Sequence, residues 1–173
     1  MEQTILCISR QYGSGGREIG EAVAKRLGIA CYDKYLIQKA AQESGLSEQS
    51  VAKYDETGSG FVVVASGDPL ADSAAAGEAF YSEEAQVFDA ERRVILALAE
   101  QGSCVIIGRC ASAILRSAGY RPLSVFLYAD ADDRAKRIAV RSGLDEKQAR
   151  RRAQKIDRLR KHHFDFYADT LWG

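Results

Sequence analysis

Thr4-Ile5-Leu6-Cys7-Ile8-Ser9-Arg10-Gln11-Tyr12-Gly13-Ser14-Gly15-Gly16-Arg17-Glu18-Ile19-Gly20 is the stretch on which the fold turns. Thr4 to Ser9 is a near-continuous apolar run, which marks a strand buried on both faces and hence a parallel sheet. A glycine-rich turn, Gly13-Ser14-Gly15-Gly16, follows at once. Ile19, Val23 and Leu27 then recur at helical spacing, with Gly28 as the stop. A strand, a glycine turn and a helix in that order place several backbone N–H groups around one concavity. The helix dipole adds partial positive charge there, so the arrangement suits a phosphate.

Working outward, Ile29 to Tyr32 is a short second strand. Residues 35–44 and 47–55 read as two short helices broken at Gly45. Residues 57–82 carry scattered glycines and small residues and read as a mobile excursion within one domain spanning 1–173. Ser82-Glu83-Glu84 opens a long helix to Glu100. Cys104 to Ile107 is a third buried strand, Arg109 to Ala118 a helix, and Ser124 to Tyr128 a fourth strand. Asp130, Asp132 and Asp133 start a helix to about Ser142, and Asp145 starts a last one to about Tyr167. Strands alternating with helices give an α/β fold around a parallel sheet.

Composition sets limits. A chain of 173 residues with 46% apolar and 28% charged residues buries roughly two-thirds of its unfolded surface without staples. No apolar stretch approaches the roughly 20 residues of a membrane helix, and no basic leader precedes the first strand, so the expected location is the cytoplasm. Cys7, Cys31, Cys104 and Cys110 form no CxxC pair, and His162 and His163 are the only histidines. The cysteines therefore read as reduced core residues, and no metal site is expected from them. Residues 41–100 carry twelve acids against three bases, a net −9; residues 134–163 carry twelve bases against three acids, a net +9. A neutral total with one basic third suits a local anionic ligand held by a few arginines. Nucleic acid is a poor fit, because interleaved exposed aromatics and a basic whole-domain charge are missing.

The run from Ile8 to Gly20 closely resembles the start of the cytidylate kinase-like family, a branch of the P-loop nucleoside monophosphate kinases. Cys31-Tyr32-Asp33-Lys34 resembles the end of that family's second strand. Cys104 to Ala111, with Gly108-Arg109 at its heart, is similar to the third-strand signature. Asp157, Arg160, Phe164, Tyr167, Trp172 and Gly173 fit the C-terminal pattern. The resemblance implies a P-loop NTPase-like three-layer α/β/α fold with a parallel sheet of four strands in the order 2-3-1-4. It also implies a mobile substrate-side segment at about 57–82 and a lid-like segment at about 141–157. There are departures. Ser112 stands where the family has Asp, and His163, Ala168 and Asp169 replace Tyr, Thr and Gly. Relatives continue past the Trp-Gly with one more strand and a helix, so the usual fifth strand is expected to be missing.

The loop departs too. With Gly13-Ser14-Gly15 aligned to the family's GSG, the lysine of the standard loop falls on Gly16 and its first glycine on Arg10. The Ser/Thr that would hold magnesium falls on Glu18. The activity implied is transfer of the ATP γ-phosphate, with Mg²⁺, to a nucleoside monophosphate, CMP or dCMP. Gly13, Ser14, Gly15, Gly16, Arg17 and Glu18 would cradle the donor phosphates. Asp33 and Arg109 would hold the acceptor, while Arg134, Arg141 and Arg160 close around the reaction. The alternative is a non-catalytic nucleotide or anion receptor, because the loop lysine is absent.

The residues also carry plainer readings. Asp33 suits an N-cap for the next helix. Arg109 at a helix start is electrostatically misplaced unless it meets an anion. Ala149, Ala153, Ile156, Phe164 and Tyr167 share one helix face, and Arg160 falls in the middle of it. Such an arginine must find a partner or ligand, and Asp157, three residues away, is the local choice. Arg134, Arg137 and Arg141 line one flank of the preceding helix, which solubility alone would also explain.

Overall fold

Ile5, Leu6, Cys7 and Ile8 are all buried, which requires cover on both faces of the strand that holds them. The computed structural model describes residues 3–45, 47–48, 83–168 and 170–173, and supplies that cover. Strand β1 (Ile5–Arg10) lies between β3 (Cys104–Ile107) and β4 (Leu123–Leu127), with β2 (Ala30–Tyr32) beyond β3. All pairs are parallel, and the order is β2-β3-β1-β4, as the resemblance implied. The expected helix beyond residue 48 and the excursion over 57–82 lie outside the described residues.

Alternation along the strands assigns each layer. Ile5 and Cys7, with Cys104 and Ile106, face α2 (Lys34–Ser44), α3 (Glu83–Glu100) and α4 (Ala111–Ser117). Leu6 and Ile8, with Val105 and Ile107, face α1 (Gly16–Leu27). The face that α1 presents is its small one, Gly16, Gly20 and Ala24. Ile19 and Leu27, which carry the helical spacing in the sequence, are 43% and 57% exposed. Close approach of helix to sheet explains the choice: a Cβ at Gly20 would lie 2.7 Å from Cδ1 of Ile107.

Two helices follow β4. α5 (Ala131–Ser142) is capped by Asp130, whose side chain accepts from the Asp132 N–H. α6 (Glu146–Tyr167) opens with a reciprocal capping box between Asp145 and Gln148. Ala135, Ile138, Ala149 and Ala153 join these helices in a small core of their own, with Tyr12 packed against it. The basic third of the chain is thereby folded onto the glycine turn.

Boundaries move where tertiary pairing decides them. β1 runs on to Arg10 because β4 pairs with it up to Leu127. The helix expected from Arg109 starts at Ala111 instead. Gly108, Arg109 and Cys110 all have positive φ, at 82°, 59° and 51°, so the chain makes a left-handed turn before the helix begins. No helix among the described residues is long and apolar enough to cross a membrane.

Candidate functional site

The site is built at the carboxyl end of β1. The chain leaves Arg10, turns through Gln11 and Tyr12, and enters α1 with Gly15 as its N-cap. The Ser14 N–H donates to the Gln11 carbonyl at 3.2 Å, and Ile19 N–H to the Gly15 carbonyl at 3.0 Å. Gly13 and Gly15 are left-handed, at φ 81° and 86°. Alternation of such residues with ordinary ones turns successive amides toward one hollow, and the first helical amides have no partner within the helix. At Gly13 space matters as well: a Cβ there would lie 2.8 Å from Cδ1 of Ile138. Ser14 is buried, and its hydroxyl has no hydrogen-bond partner among the described residues.

Arginines ring this hollow. The Arg10 guanidinium lies 3.8 Å from Asp33 at the end of β2. Arg17 Nε is 3.5 Å from the other Asp33 oxygen and 2.9 Å from Glu21. Asp33 occupies the N-cap position of α2, yet its side chain makes no capping bond. The carboxylate turns instead to the two arginines, which overrides the plainer reading.

The α5–α6 hairpin supplies the opposite rim. Arg137 donates to the Gly13 carbonyl, and Arg141 pairs with Glu18. The Glu18 carboxyl is held below its ordinary range, first by the hydrogen bond from its own backbone N–H and then by Arg141 and Arg137. Arg134 is buried; its Nε donates to the Tyr12 carbonyl at 2.8 Å, and the guanidinium pairs with Asp157. Asp157 also accepts the Tyr12 N–H at 2.7 Å. Arg134 and Asp157 thus bracket both backbone groups of Tyr12 and tie the hairpin to the loop.

Arg160 points inward, as its place in the apolar stripe requires. Its Nη1 donates to the Arg10 carbonyl at 3.3 Å, and its guanidinium lies 5.5 Å over the Tyr12 ring. With Arg10, Arg109 and His163 it lines a cavity of about 30 Å³. Arg109 is buried and forms an ion pair with Glu91 of α3 at 3.2 Å. That partner answers its electrostatic misplacement, for Arg109 precedes the helix and meets a carboxylate from another element.

The fold therefore gathers Gly13 to Glu18, Asp33, Arg134 and Arg141 around one loop, with Arg109 and Arg160 on the adjoining cavity. Sequence reasoning placed Arg137 on a helix flank with Arg134 and Arg141 without assigning it a site role, and passed over Tyr12 and Glu91. Glu91 had a signal, since it is an acid in the buried face of Val87, Val94 and Leu98. Tyr12 had none, and the partner of Arg137 had none either, because both roles run through backbone groups far along the chain. Burial pushes the Cys7 thiol up to about 12 and the Cys104 thiol up to about 11, so both stay protonated.

The sequence model of the cytidylate kinase-like family matches residues 5–173. Among solved structures, the chain is similar to an uncharacterized protein from Eubacterium ventriosum, 27% identical, with a TM-score of 0.69 over 99% of this chain and 81% of that one. It is also similar to TT1252 from Thermus thermophilus, 18% identical, with a TM-score of 0.53 over 89% and 80% of the two chains. At that identity the second likeness is one of fold. No curated protein matches the chain.

Proposed function

This chain belongs to the cytidylate kinase-like family, and from that premise we propose that it is a phosphotransferase moving the γ-phosphate of ATP to a nucleoside monophosphate, CMP or dCMP. The observation that carries the reading is the glycine hollow with arginines on both rims: Arg10 and Arg17 on one side, Arg137 and Arg141 on the other. Phosphoryl transfer asks a protein mainly for positioning and charge neutralisation, and this set is adequate in kind.

The residues fit the donor. Two left-handed glycines and the first amides of α1 suit phosphate oxygens, and the buried Ser14 hydroxyl has a hydrogen bond to give. Glu18 supplies a hard oxygen of the kind Mg²⁺ takes. Bound Mg²⁺·ATP would provide the phosphoryl group and part of its charge neutralisation. In this reading Arg109 and Arg160 meet the acceptor phosphate at the small cavity, and Asp33 orients groups at the β2 end. Arg134 and Arg141 hold the hairpin over the reaction. A small nucleotide is the partner, with neither nucleic acid nor membrane involved. Thiols without disulfides suit the cytoplasm.

A second reading, a nucleotide or anion receptor, is favoured by one observation: the loop carries Gly16 where the standard motif has lysine. Loss of one well-placed charge stabiliser lowers rates about a hundred- to a thousandfold. The deciding experiment is a coupled ADP-release assay with ATP, Mg²⁺ and a panel of monophosphates. Release with CMP or dCMP is expected. ATP binding without release against any acceptor would establish the receptor instead.

A further inference from the structure

We propose that Arg10 supplies the cation that a lysine at position 16 supplies in the standard loop, so that the charge enters from the strand and not from the helix. The inference rests on the phosphotransferase reading and names how its donor phosphates are met. The decisive residue is Gly16. It is the first residue of α1 and is absent from the positive-φ glycines. Its backbone conformation is therefore open to any residue, and glycine there is otherwise a poor helix former.

What excludes a side chain at 16 is Arg10. A Cβ on Gly16 would lie 2.8 Å from both the Cβ and the Cγ of Arg10. These atoms are the stem, fixed to a central strand, and they cannot swing aside as a flexible tip could. The space in which a lysine at 16 would begin is thus already filled by Arg10. Beyond the stem, the guanidinium crosses Gly108, where a Cβ would overlap Nη1. Two glycines, one on α1 and one after β3, leave a channel for this side chain.

The guanidinium is also held. Asp33 faces it at 3.8 Å, while Arg160 fixes the backbone of the same residue, its Nη1 donating to the Arg10 carbonyl at 3.3 Å. The Arg10 side chain is 15% exposed against 41% for Arg17, which Glu21 draws toward the outer surface at 2.9 Å. Of the two arginines at the loop, Arg10 is the more buried one. A planar guanidinium also gives two donors to one phosphate, where an ammonium acts as a point charge. Arginine at 10 and glycine at 16 form a matched pair, as glycine at 10 and lysine at 16 would.

The test is calorimetric titration of the full chain with inorganic tripolyphosphate and with ATP, for wild type, Arg10→Ala, Gly16→Ala, Arg10→Ala/Gly16→Ala and Arg10→Ala/Gly16→Lys. Melting temperatures are taken alongside. Arg10→Ala is expected to weaken tripolyphosphate binding tenfold or more. Gly16→Ala alone should weaken it comparably, by displacing Arg10, and should add nothing once Arg10 is gone. Arg10→Ala/Gly16→Lys should recover most of the loss. If Arg10→Ala does not fold, Gly16→Ala and the lysine swap still decide. Unchanged affinity in Arg10→Ala, a harmless Gly16→Ala, or no recovery with lysine overturns the inference and leaves the phosphotransferase reading standing. A wild type that binds neither probe overturns both. Arg10-dependent binding without ADP release keeps Arg10 as the phosphate cation and removes the transfer activity alone.

Discussion

Arg160 is the residue at which pattern and role separate most cleanly. Among the described residues its polar contacts are a carbonyl and an aromatic face, with no carboxylate. The local candidate, Asp157, is taken by Arg134 and the Tyr12 N–H. A neighbour three residues away contributes only a few tenths of a kcal/mol on a helix surface. A partner brought in by the fold, in a half-buried setting with a second donor, outcompetes it. On the function proposed above, Arg160→Met should therefore lower turnover tenfold or more, about 1.4 kcal/mol in the barrier, while the melting temperature moves little. A clear drop in melting temperature with unchanged turnover would assign Arg160 to structure alone. Arg160 was legible in sequence because a lone cation in an apolar stripe is visible at helical period. Its partner was not, because the Arg10 carbonyl lies 150 positions away.

The helices carry the predictions of the next scale. α6 begins with a full capping box, so Asp145→Ala removes an acceptor for the Gln148 N–H. The expected loss is about 1 kcal/mol, read as a fall of about 2–4 °C in melting temperature for a chain of this size. The hairpin is also tied to α1 by Arg141 and Glu18, a half-exposed pair. The folded-state pKa of Glu18 is lowered, so its contribution is present above the unfolded pKa and lost as pH falls through the folded value. Wild type should melt above Glu18→Gln near pH 7, and the difference should close below about pH 4. A difference that persists in acid would show that charge plays no part. α1 itself taught a narrower lesson. Its helical period was readable from Ile19, Val23 and Leu27, but its buried face is Gly16, Gly20 and Ala24. The distance between helix and sheet selects the small face, and no local pattern encodes that distance.

Across the whole molecule, layer spacing is the controlling quantity. Gly20 lets α1 approach β3, and Gly20→Val should push the layers apart. Overpacking of this kind costs typically 1–3 kcal/mol, despite the gain in helix propensity. An unchanged or raised denaturation midpoint would show that α1 tolerates a wider spacing. The sequence by itself determined the alternation of strands and helices, the glycine hollow after the first strand and the inward side of α6. Each is written in periods of two or 3.6 residues, or in the few residues that tolerate a left-handed turn. Beyond pairs one helical turn apart, such as Arg17 with Glu21, only the tertiary structure decided which charge meets which. Arg109 and Glu91 are 18 positions apart, Arg134 and Asp157 23, and Arg141 and Glu18 123. The reason is physical: an ion pair depends on distance in space, and chain separation carries no record of that distance until the layers have packed.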